Sequence, residues 1–176
     1  MKFISGIILT PVVCAMVAPA AMATVYLSPE QAIGVIFPGR KVGDFKATGL
    51  KPSGEQRKAI KAQTGLSVRD KEIRVWTAAD GTRMYVDQVV GKHDFITFAT
   101  GIGADGKVRG VEILEYRETY GGEVRRPEWR KQFQGKSSAS GFKLGKDIMN
   151  ISGATLSSHS ITDGVYRLLA LRDLTT

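Results

Sequence analysis

Cysteine is nearly absent: Cys14 is the single one among 176 residues. It lies in the first, apolar stretch, so a domain built from the rest has no disulfide, no thiolate nucleophile and no cysteine metal ligand. Histidine is almost as scarce, with His93 and His159 far apart in sequence. Two isolated imidazoles do not make a transition-metal site. No internal repeat is visible, and no long run of one charge sign. The net charge of +8 invites a nucleic-acid reading. The basic residues are scattered among acids, however, and an export signal argues against that partner. Most of them read as a solvated face, with a minority free to meet a phosphate or an acidic redox protein.

The apolar start has a defined shape. Lys2 is followed by an uncharged stretch from Phe3 to Ala23, apolar at Ile7, Ile8, Leu9, Val12 and Val13. It closes on Ala21-Met22-Ala23, the small-x-small pattern of a signal-peptidase site. Residues 1–23 are therefore expected to be a cleavable signal peptide and 24–176 the mature domain, periplasmic or otherwise extracytoplasmic. An uncleaved anchor is the alternative, because the stretch is nearly long enough to span. Pro11 and Pro19 interrupt it.

Hydrophobic residues make up 43% and charged residues 24%, which supports a packed core and argues against disorder. Ser28-Pro29-Glu30-Gln31 reads as a capped helix start ending before Pro38. Ser53 caps a second helix through Gln56, Ala59 and Ile60, stopped by Gly65. From Glu72 to Glu118 apolar residues alternate with polar ones. Asp80-Gly81 and Asp105-Gly106 are turn signals, and the stretch reads as a meander of about four strands. Pro127 opens a short helix with Trp129 and Phe133. Ile161, Val165, Leu168 and Leu169 stand at helical spacing near the end. The expected class is α+β: an antiparallel sheet packed with helices, as a single domain after the signal peptide.

Chemistry concentrates where the last helix begins, in Asn150-Ile151-Ser152-Gly153-Ala154-Thr155-Leu156-Ser157-Ser158. A helix N-terminus offers free N–H groups and the positive end of its dipole, and Gly153 lets an anion approach the backbone. This is a phosphate site in physical terms. The same residues also suit a plain helix cap through Ser152 or Thr155.

Ser152-Gly153-Ala154-Thr155 followed by two serines resembles the flavinylation motif of the FMN-binding domain family. That family includes the G subunit of Rnf complexes and the C subunit of the sodium-translocating NADH:quinone oxidoreductase. A second stretch supports the likeness: Arg117-Glu118-Thr119-Tyr120-Gly121-Gly122, then Trp129, then Gln132-Phe133-Gln134-Gly135-Lys136. The resemblance runs from about Gly91 to Leu171. Two positions depart from it: Tyr120 stands where many members have proline, and Asn150 where an acid is common. The resemblance implies covalent FMN, held by a phosphoester on Thr155 and installed by a separate flavin transferase that uses FAD. It also implies transfer of electrons between extracytoplasmic redox partners, one of which can be membrane-associated. Ser152, Gly153 and Ala154 belong to the attachment motif. Glu118 and Thr119 are candidates for polar contacts with the flavin, and Tyr120, Trp129 and Phe142 for its ring faces, although Trp129 and Phe133 also suit a core.

Arg125, Arg126, Arg130, Lys143 and Lys146 flank these stretches and are candidates to balance a phosphate. His93 is expected at the surface. His159, four residues after Thr155, either approaches the phosphate or packs near the cap. No catalytic residue and no metal ligand stands out, which favours a carrier over a flavin-dependent reductase of a small acceptor, the alternative reading.

Overall fold

A computed structural model describes residues 23–69 and 71–175. The proposed leader therefore lies outside the described residues, apart from Ala23. The domain is α+β, with all strand pairs antiparallel. Its six strands are β1 (Thr24–Val25), β2 (Phe45–Leu50), β3 (Ile73–Ala78), β4 (Arg83–Val90), β5 (Phe95–Ile102) and β6 (Val108–Tyr116), in the spatial order β1-β6-β5-β4-β3-β2. Helices α1 (Pro29–Ile36), α2 (Gly54–Thr64), α3 (Pro127–Arg130) and α4 (Thr155–Asp173) complete it. Among the described residues no helix is long and apolar enough to cross a membrane.

Local chemistry sets the first two helices. Ser28 and Ser53 each close a full capping box with Gln31 and Gln56. Gly65 ends α2 in the left-handed region at φ 74°. The expected meander is present as β3 to β6. Two edge strands extend it: β2 pairs with β3 over six residues, and β1 holds only Tyr116 and Glu115 of β6.

The sheet is covered on both faces, so its strands carry apolar residues at adjacent as well as alternate positions. On one face Trp76, Met84, Val86, Ala99 and Leu114 pack with Ala32, Ile33 and Ile36 of α1 and with Phe37 and Phe45. Gly101 and Gly110 pair across β5 and β6 on this face and lie under α1. On the other face Val75, Tyr85, Phe98, Val111 and Ile113 pack with Ile161, Val165, Leu168 and Leu169 of α4 and with Ile60 of α2. Helix α4 comes close enough that a Cβ on Gly164 would sit 2.7 Å from Phe98 Cζ.

One irregularity decides where the site lies. Thr97 pairs with Glu115 but its neighbour Phe98 pairs with Ile113, so Leu114 is an extra residue in β6. Such a bulge shifts the alternation by one. Ile113 and Tyr116 therefore face α4 together, three residues apart, where a regular strand would turn Tyr116 away.

Candidate functional site

Helix α4 begins at Thr155, and its N-cap is Ala154, which has no side chain to cap with. Neither Ser152 nor Thr155 caps the helix. Thr155 Oγ1 instead accepts a hydrogen bond from Asn150 Nδ2 at 3.0 Å. Its side chain is exposed, as is Ser152. Among the described residues the N–H groups of the first turn thus have no side-chain partner, at the positive end of a 19-residue helix. Gly153 precedes them at φ 85°, with nothing within 4 Å of the place a Cβ would occupy.

Thr155 lines a cavity of about 370 Å³. Gly153, Ala154, Leu156 and Ser157 form one wall, and Glu118, Thr119, Tyr120 and Gly121 a second. Lys92 and His93, from the turn between β4 and β5, complete it. A second, more open cavity of about 700 Å³ shares Thr119, Tyr120, Gly121 and Gly153 with the first. Its further walls are Tyr26, Glu123, Arg125 and Arg126, among others. Tyr120 sits between the two and is 80% exposed. Leu156 and Met149, on either side of residues 150–155, are also exposed apolar side chains.

The structure brings Ser152, Gly153, Ala154, Thr155, Glu118, Thr119 and Tyr120 to one place, with Ser152 adjoining the cavity rather than lining it. Glu118 is already engaged: its Oε1 accepts from the backbone N–H of His93 at 2.6 Å and of Asp94 at 3.1 Å. It braces the β4–β5 turn, and a Cβ on Gly91 would lie 2.6 Å from that oxygen.

Trp129 is placed elsewhere. It is buried at 5% exposure, packs edge-on to Phe133 and lines neither cavity. Its indole N–H donates to the Met149 carbonyl at 2.7 Å, so it anchors the loop leading to Asn150. Phe142 likewise lines neither cavity and stacks on Tyr166 at 4.7 Å. Both rings find aromatic partners within the fold, whereas Tyr120 is exposed.

The flanking cations divide in the same way. Arg125 and Arg126 stand on the larger cavity, with the Arg125 guanidinium 3.4 Å from the centroid of the Tyr26 ring. Arg130 pairs with Glu112 and donates to the carbonyls of Val111 and Arg125, so it holds α3 to the sheet. Lys143 and Lys146 line neither cavity. His159 pairs along its own helix with Asp163 at 3.2 Å and stays off the cavity wall. Burial raises the Asp163 carboxyl against the opposing pull of His159 and Arg167.

Sequence reasoning missed Lys92, His93, Tyr26 and Leu156 as wall residues. The first two come from a turn some sixty residues ahead of Thr155, and no local pattern marks them. It also passed over Tyr116. Beneath the cavity, Tyr116 Oη donates to the Tyr120 carbonyl at 2.5 Å and lies 3.0 Å from Ser157 Oγ. Ser157 and Ser158 part company here: Ser157 lines the cavity, while Ser158 is fully buried with no partner for its hydroxyl among the described residues.

These features suit a flat, phosphorylated ligand. The cavities lie in the size range of cofactor sites, with an uncapped helix N-terminus for an anion and exposed apolar side chains for a ring. Residues 91–170, a little under half of the chain, match the model of the FMN-binding domain. Among characterised proteins it is similar to the G subunit of the Na(+)-translocating ferredoxin:NAD(+) oxidoreductase complex of Acetobacterium woodii. The two are 27% identical over 139 residues, which cover 71% of this chain and 65% of the relative. The chain thus spans about two thirds of that relative's length.

Proposed function

We propose that this protein is an exported electron carrier that holds FMN covalently through a phosphoester on Thr155. The observation that carries the proposal is the position of the Thr155 hydroxyl: exposed, on a cavity wall, at the uncapped start of α4. FMN, when bound, supplies the one- and two-electron chemistry. The chain supplies the seat. The first-turn N–H groups and the helix dipole suit the phosphate, and Gly153 leaves room for it. Tyr120 and Leu156 offer apolar surface for the ring, and Thr119 a hydroxyl. Arg125 and Arg126 are near enough to the shared wall to offset negative charge.

The same geometry supports maturation by a separate enzyme. A threonine hydroxyl is a weak nucleophile without a base or metal. Asn150 donates to Thr155 Oγ1 and cannot take its proton, and no carboxylate or imidazole among the described residues bonds that oxygen. Activation then falls to a flavin transferase. The finished ester is a tether, useful outside the cytoplasm where a dissociated cofactor is lost. The likeness to a subunit of an oxidoreductase complex supports redox proteins as partners, with a membrane-associated one among them. Electron transfer and export belong to this proposal, as does the transferase.

His93 and Lys92 on the cavity wall favour one second reading, a reductase of a small acceptor, because they are proton donors beside the proposed ring position. Turnover with a small acceptor at rates matching those with protein partners supports that reading. Slow turnover supports the carrier.

Thr155→Val tests the attachment. Valine keeps the branched shape and removes only the hydroxyl. In protein made with its transferase, the wild-type peptide containing residues 152–158 carries the mass of FMN less one water on Thr155. Thr155→Val carries none, and Ser152→Ala keeps it. Covalent flavin retained by Thr155→Val overturns the proposal.

A further inference from the structure

The loop that supplies Thr119, Tyr120 and Gly121 and the helix that supplies Thr155 are separate segments, and one buried side chain joins them. Tyr116 is 4% exposed. Its hydroxyl donates to the Tyr120 carbonyl and meets Ser157 Oγ in the first turn of α4. With its own proton given to the carbonyl, the phenol is left to accept from the serine. Each hydroxyl then has one defined role. Gly121 fits because it lacks a side chain: at φ 90° its Cβ would stand 2.6 Å from Tyr116 Oη and 2.9 Å from Ser157 Oγ. The bulge at Leu114 turns Tyr116 toward α4 in the first place. Burial also raises the phenol above its ordinary value, against the opposing pull of the Ser157 hydrogen bond and with Glu118 and Glu123 adding to the rise.

We propose that Tyr116 is a positioning residue of the flavin site, clamping the Tyr120–Gly121 turn to Ser157 and so setting the ring-contact loop against Thr155. The proposal rests on the reading that FMN is seated at this cavity. Tyr116 touches no reacting atom. It acts through the backbone carbonyl of Tyr120, which fixes the direction in which that exposed ring stands. A purely structural role would be that of a core tyrosine whose hydroxyl contributes only to overall stability.

The test uses Tyr116→Phe, Ser157→Ala and the double variant, each with and without flavin loaded by the transferase. In the flavin-free proteins, amide hydrogen exchange over residues 119–123 should quicken about tenfold in Tyr116→Phe, the effect of one lost hydrogen bond. Amides in the middle of β4 should keep their relative protection. In the loaded proteins FMN should remain on Thr155, while the flavin fluorescence becomes more accessible to iodide. The double variant should be no looser than the worse single one, because both changes break the same bridge. Exchange and quenching that stay at wild-type values while the melting temperature falls would overturn the proposal. So would fully additive effects in the double variant. If Tyr116→Phe does not fold, Ser157→Ala reads the same bridge from the helix side. A wild-type protein without FMN on Thr155 counts against the functional reading, and exchange in the flavin-free proteins still decides the clamp.

Discussion

Replacing Trp129 separates a ring contact from an anchor. The side chain is 5% exposed, meets Phe133 edge-on at 5.2 Å and donates to the Met149 carbonyl at 2.7 Å. Trp129→Phe keeps an aromatic ring but removes the donor, worth about 1 kcal/mol. It also removes the equivalent of two buried carbons, roughly 0.8 kcal/mol each. The sum is about 2–3 kcal/mol, which for a domain of this size lowers the melting temperature by about 5–10 °C. Trp129→Ala adds a cavity and costs about 3–5 kcal/mol. Because the ring lines neither cavity, Trp129→Phe should leave the absorption band of attached flavin unchanged at temperatures where the variant is folded. Thermal denaturation of the flavin-free protein and spectra of the loaded protein measure the two effects independently. A melting temperature within about 2 °C of wild type, together with a shifted flavin band, would refute the anchoring argument and return Trp129 to the ring.

Tyr120→Ala should do the reverse, leaving stability within about 0.5 kcal/mol because the ring is 80% exposed, yet altering flavin fluorescence. Glu118→Ala removes the acceptor for two backbone N–H groups, so hydrogen exchange at His93 and Asp94 should rise sharply, with a smaller rise in Glu118→Gln. Gly164→Ala sets a helix-propensity gain of about 1 kcal/mol against a Cβ 2.7 Å from Phe98, and denaturant unfolding should show net loss. The Asp80 carboxyl is held at about 2 by the Thr82 backbone N–H and then by Arg40. A lowered carboxylate stabilises the fold above its unfolded value of 3.8, and that contribution is lost as pH falls toward 2. NMR titration should show Arg40→Met moving this carboxyl back up.

What could be read in advance was what short segments decide for themselves. Ser28 with Gln31 and Ser53 with Gln56 are complete devices within four residues, and the two Asp-Gly turns need only their own glycine. The place of Thr155 at the start of the last helix was legible because its motif is contiguous. Strand β2 was not, since Phe45-Lys46-Ala47-Thr48-Gly49-Leu50 has little strand character and becomes a strand by pairing with β3. Trp129 and Tyr120 are both aromatics near glycine or proline, and their different burial depends on what α3 and the Met149 loop meet in space. Tyr116 was hidden by its bulge: counted in steps of two from Ile113, it falls on the wrong face. His93 reached the site through Glu118, a pairing across the fold that no spacing announces.

The glycine pair beneath α1 has unequal members. A Cβ on Gly101 would overlap Ile36 Cγ2 and crowd Phe37, whereas one on Gly110 would meet Ile36 at 3.5 Å, an ordinary contact. Two positions that are partners in the ladder therefore face different evolutionary constraints. Alanine at 110 is a neutral drift, open at any time. Alanine at 101 becomes accessible only after α1 has lost bulk at 36 or 37, so among homologous sequences a larger residue at 101 should co-vary with smaller ones there, while 110 varies alone.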